Sequence, residues 1–82
     1  MLTPARKQRD EIRRQYPGVL LIMQIAGTYA AYEDDAAALT LHTRELVTVE
    51  PQRVTVPTAN LEAVCQRMCS LGRRVGLCRQ AP

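Results

Sequence analysis

Eighty-two residues, a net charge of +3, three Tyr and no Phe or Trp describe one small domain spanning residues 1–82, with a core just large enough to fold alone. They exclude an aromatic-rich core, so Val, Leu, Ile, Met and Ala must fill the interior. No apolar stretch approaches the length of a membrane span, and the basic N-terminal segment is not followed directly by the apolar region of a signal peptide. Three cysteines, an odd number without the spacing of a secreted scaffold, point to a reducing cytoplasm.

Residues 4–15 read as a helix, with Thr3 as N-cap and Pro4 at the first helical position. Ala5 and Ile12 are its only apolar anchors, so docking or charge pairs such as Asp10 with Arg14 must hold it. Pro17-Gly18 ends it. Residues 19–26 then read as a central strand, apolar on both faces except at Gln24. After Gly27, Thr28 is expected to cap a second helix, with Tyr29, Tyr32, Ala36 and Leu39 on one face. Glu33, Asp34 and Asp35 fall in its early turns, where carboxylates suit the helix dipole.

Leu46–Val49 and Arg53–Val56 read as a hairpin turning at Glu50-Pro51-Gln52. Residues 60–71 form the clearest helix, with Asn60 as N-cap and a stripe of Leu61, Val64, Cys65, Met68 and Leu71. Gly72 stops it, and Arg74–Arg79 reads as a last strand with Val75 and Leu77 on one face. The order α-β-α-β-β-α-β gives an α/β fold: a small mixed sheet packed with helices.

The charge is uneven. Arg6, Lys7, Arg9, Arg13 and Arg14 crowd one end of the chain, and Arg67, Arg73, Arg74 and Arg79 the other. If the ends meet in space they make a basic face that attracts polyanions; otherwise they are solvated helix faces. Other constellations offer less chemistry. Cys65 and Cys69, with Cys78 and His42, could be set out as zinc ligands, against the simpler reading of cysteines as small hydrophobes; no metal is expected. Glu33, Asp34 and Asp35 are consecutive and point in different directions, so they do not converge on an ion. A catalytic Cys–His pair has no oxyanion signature beside it. Gly27-Thr28 at a helix start could hold a phosphate, but a tight strand-to-helix turn explains it as well.

The segment Tyr16-Pro-Gly-Val-Leu-Leu-Ile-Met-Gln-Ile-Ala-Gly-Thr-Tyr-Ala-Ala-Tyr-Glu-Asp-Asp-Ala36 resembles the "YP..LLLFRMGDFYELFYDDA" opening of the N-terminal domain, domain I, of the MutS mismatch-repair proteins. Val56-Pro57 and the closing Gly72-Arg-Arg-Val-Gly-Leu-Cys-Arg-Gln80 are similar to the family's "IP" and "G..VAICEQ". The resemblance covers nearly the whole chain and implies the same order of elements, in a stand-alone and shortened form of the domain or a fragment of it. It also implies a comparison of probing residues. In the family a phenylalanine wedges beside the mismatched base and a glutamate two residues later accepts a hydrogen bond from it. Alignment puts Thr28 at the wedge position and Ala30 at the glutamate position, with Tyr29 between them as a packing residue. Thr28 has no π-face, and Ala30 cannot accept a hydrogen bond. No P-loop GxxxxGK[ST] occurs, so no nucleotide site and no cofactor is expected.

The expected role is therefore non-enzymatic. One reading is contact with double-stranded DNA through arginine–phosphate pairs at Arg6, Arg9, Arg13, Arg14, Arg73 and Arg74, without mismatch readout. Four to five such contacts imply a log–log salt slope of roughly −4, and exposed arginines should be removable at little cost to the fold. The alternative is a module that has kept the fold and docks another protein, or itself, through an open strand edge of the hairpin.

Overall fold

A computed structural model describes the backbone of residues 4–79, and the side chains within that span except at residues 4–6, 8 and 79. The Thr3 cap lies outside the described residues. The elements run α1 (Pro4–Gln15), β1 (Val19–Ile25), β2 (Thr28–Ala31), α2 (Glu33–Thr43), β3 (Thr48–Val49), β4 (Val54–Val56), α3 (Leu61–Ser70) and β5 (Arg74–Arg79). Short 3-10 turns at Arg44–Leu46 and Thr58–Asn60 complete the path. The five strands form one mixed sheet in the order β3-β4-β2-β1-β5, in which only β1 and β5 are parallel. The α/β class expected from the sequence holds, with one more strand than expected.

That strand is the main correction. Thr28 does not cap a helix; Thr28–Ala31 pairs with β1 on one side and β4 on the other. Ile25 stands opposite Thr28, so Ala26-Gly27 is a two-residue hairpin loop. Its residues hold φ of +50° and +80°, as a type I′ turn requires. The Thr28 hydroxyl donates to the Ile25 carbonyl at 2.9 Å and closes the loop. Strand pairing on both edges overrides the helical spacing of Tyr29, Tyr32, Ala36 and Leu39. The helix starts instead at Glu33, whose own φ of +54° turns the chain out of the sheet. Gly27-Thr28 is consequently not a helix start, and a phosphate site on helix N–H groups is ruled out there.

The core follows from alternation along the strands. Leu20 and Ile22 of β1, Ala31 of β2, and Val54 and Val56 of β4 meet Leu39 of α2 and Val64 and Met68 of α3, all at 2% exposure or less. Tyr29 and Val75 pack against this cluster. Leu21, Met23 and Ala30 point to the opposite sheet face and are equally buried. Helix α1 packs on β1, and none of its described side chains belongs to the first cluster, which sets it on that second face. Gly76 lies across from Leu21 in the parallel pair. A Cβ there would sit 3.1 Å from Val19 and 3.3 Å from Leu21 side-chain carbons, so the glycine lets β5 lie flat against β1.

Asn60 is not the side-chain cap expected for α3; its amide donates to the Leu46 carbonyl at 3.0 Å and ties the helix start to the segment before β3. The other end of α3 is a Schellman stop. Arg73 N–H donates to Met68 O and Gly72 N–H to Cys69 O, both at 3.0 Å, with Gly72 at φ +85°. Leu71 and Leu77, expected on apolar faces, are each 52% exposed.

Candidate nucleic-acid interface

The arginines singled out from the sequence divide into two groups. Arg9 and Arg13 lie one turn apart on α1 and face inward. Arg9 is 4% exposed and Asp35, in the first turn of α2, is 1% exposed. Arg9 donates from Nη2 to the Tyr32 carbonyl at 3.3 Å and to Asp35 Oδ2 at 3.5 Å. Its Nη1 reaches Asp10 at 3.2 Å and Glu33 at 3.5 Å. Arg13 binds the same Asp35 oxygen and donates to the Val19 carbonyl at 2.8 Å. One carboxylate thus fastens the polar helix to α2 and to the head of β1, supplying the docking that its sequence demanded. The expectation that these are exposed, removable arginines is corrected: a helix with so little apolar surface is held by its charges. Asp10, expected to pair with Arg14, pairs with Arg9.

Arg14, Arg73 and Arg74 form the other group. All three are exposed, and their side chains make no ion pair or hydrogen bond among the described residues. The side chain of Arg6 lies outside the described residues. The parallel register explains how two remote basic segments approach. Val19 pairs with Arg74, so the entry to β5 lies beside the entry to β1, just after the end of α1. Gln15 and Tyr16 from one segment and Arg73 and Arg74 from the other line a single cleft of about 380 Å³.

The aligned probe positions are elsewhere. Thr28 is exposed at the foot of the β1–β2 loop, Tyr29 packs on the core and Ala30 is fully buried. Six residue steps along β1 separate Val19 from Ile25, roughly 20 Å at about 3.3 Å per step. The C-terminal arginines and the probe positions therefore stand at opposite ends of the sheet. Tyr32, and then Glu50, raise the pKa of Arg53, which just precedes β4.

The cysteines are free thiols. Burial, then Cys69, pushes the Cys65 thiol up; burial, then the Asp35 charge, pushes up Cys78. Among the described residues no three His, Cys, Asp or Glu side chains come together as a metal would need. No described helix is long and apolar enough to cross a membrane. The sequence carries no distinctive signal for the Arg9–Asp35–Arg13 node: Asp35 follows two other carboxylates, Glu33 and Asp34, and only the docking of α1 singles it out.

Comparison with known proteins agrees with the resemblance. The profile of the family described as MutS domain I matches residues 3–82. The DNA mismatch repair protein MutS of Lactobacillus gasseri is 33% identical over 85 aligned positions, which cover 95% of this chain and 10% of that protein. The MutS protein of Lactobacillus johnsonii matches with the same identity and coverage. The chain thus spans about a tenth of the length of these curated relatives. With a family match over nearly its whole length and a fold of the expected class, the chain belongs to the MutS domain I family.

Proposed function

We infer that the chain is a non-enzymatic module that contacts duplex DNA through arginine–phosphate pairs and does not read mismatches. The observation that carries this reading is the meeting of the two basic segments at one end of the sheet, where Arg73 and Arg74 share a cleft with the residues that follow Arg14. Three exposed guanidinium groups without carboxylate partners among the described residues suit a backbone polyanion, and such contacts fix position without carrying sequence information. The relatives' names, DNA mismatch repair protein MutS, support nucleic acid as the partner. Loss of mismatch readout rests on the aligned pair, an exposed Thr28 with no ring and an Ala30 without access to solvent. Phosphate contact of this kind needs no nucleophile, general base or metal. The test is a duplex titration with Arg73→Ala/Arg74→Ala at low salt. At least a fivefold loss for every sequence supports the reading, and unchanged affinity refutes it.

A second reading has its own observation. The sheet ends on two edge strands, β3 and β5, which carry Val49 at 49% and Leu77 at 52% exposure. An edge of this kind can pair with another chain. The module would then dock a partner protein or a second copy, and sedimentation of the purified protein across a concentration series would detect self-association.

A further inference from the structure

The cleft at the arginine end holds more than cations. Tyr16, 57% exposed, stands at its rim. The ring takes no part in the described core, yet its backbone is fixed. Tyr16 N–H donates to Ile12 O at 2.9 Å, and its carbonyl accepts from Val19 N–H at 3.2 Å. The opposite wall is pinned by the Schellman stop at Gly72. Gly18 and Gly72 face open space, since a Cβ at either would meet nothing within 4 Å. Gln15 adds an amide that both donates and accepts. Among the described residues no carboxylate lines the cleft, so none of them repels a phosphate. At about 380 Å³ it falls within the range of small-molecule sites, roughly 300–1,000 Å³.

An aromatic face beside cations is the combination that binds unpaired nucleotides, whose bases stack while their phosphates are neutralised. A paired base offers no free face to such a ring. We propose that the cleft takes one unpaired nucleotide of a DNA strand, with the base on Tyr16 and the flanking phosphates on Arg73 and Arg74. This rests on the reading that the arginine end meets DNA, and adds that the protein prefers a frayed or single-stranded end to a blunt duplex.

The test uses fluorescence anisotropy with oligothymidylate, a duplex carrying a short thymidine overhang, and the blunt duplex, against the wild type, Tyr16→Ala and Tyr16→Phe. Stacking of one base is worth about 1–3 kcal/mol, so Tyr16→Ala should lose about tenfold for oligothymidylate and the overhang, and less than twofold for the blunt duplex. Tyr16→Phe, which keeps the ring, should bind all three within twofold of the wild type. Urea unfolding of each variant separates loss of the site from loss of the fold. If Tyr16→Ala binds every form as the wild type does, or weakens all three equally, the nucleotide site is overturned while the duplex reading stands. If the wild type binds no form of DNA at about 10 mM salt, where screening is weakest, both fall together.

Discussion

Asp35→Asn should unfold this protein more readily than any surface substitution. Asparagine keeps the shape of the side chain and removes the charge that two arginines share. The Arg9 side chain is 5% exposed and that of Asp35 1%, so water cannot replace the lost partner. Breaking a buried pair from one side costs about 3–5 kcal/mol, chiefly because an uncompensated charge stays behind. Arg9 keeps Asp10 and Glu33 within 3.5 Å, and both are partly exposed, which places the expected loss near the lower end, about 3 kcal/mol. A domain of this size has roughly 4–12 kcal/mol of stability in total. With a urea m-value of about 1–1.5 kcal/mol/M, the midpoint should fall by about 2–3 M. Arg14→Ala, on the exposed side of the same helix, should stay within about 0.5 kcal/mol of the wild type. A loss below about 1 kcal/mol for Asp35→Asn would show that the node is solvated, and that α1 is held by something other than its charges.

Affinities for a duplex with and without a G·T pair should agree within about threefold, under 1 kcal/mol; a tenfold preference for the mismatch in a competition titration would restore a probing role to the β1–β2 loop. The exposed Cys69 should react first with a thiol reagent, and Cys65 and Cys78 more slowly, with half-maximal rates shifted to more alkaline pH than an ordinary thiol. Mass mapping of partly alkylated protein reads that order, and equal rates would contradict it. Because both folded-state values are raised, their contribution to stability is full below the ordinary thiol pKa. It is lost as pH climbs from there through the raised values, so the urea midpoint should decline in that alkaline window and less so in Cys65→Ala/Cys78→Ala. Elemental analysis should find no zinc, and one zinc per chain would overturn the assignment of the cysteines as plain thiols.

Much of the fold was legible because its signals are local. The apolar run of β1, the Gly72 stop and the β3–β4 hairpin each follow from a few adjacent residues, although β3 is only Thr48–Val49 and Leu46 falls in a 3-10 turn. The start of α2 was not, because Tyr29, Tyr32, Ala36 and Leu39 keep helical spacing while Thr28–Ala31 gains ladders on both edges. The hairpin needs positive φ at both Ala26 and Gly27, and alanine rarely adopts it, so Ala26 does not announce the turn. The arginines show the same limit at the site. Sequence placed five basic residues on one polar segment, but which of them face Asp35 depends on how α1 docks. Long-range pairing, here β1 with β5, decides which arginines meet.

The most direct test of the DNA reading is the salt dependence of duplex affinity. With Arg9 and Arg13 held by Asp35, the expected contacts among the described side chains fall to Arg14, Arg73 and Arg74. Three neutralised phosphates give a log–log slope of about −2.7, shallower than the roughly −4 of four to five contacts. Arg73→Ala/Arg74→Ala should flatten it by about two while leaving the urea midpoint in place. A wild-type slope near zero, or no binding at about 10 mM salt, would contradict the assignment and leave the strand-edge docking module in its place.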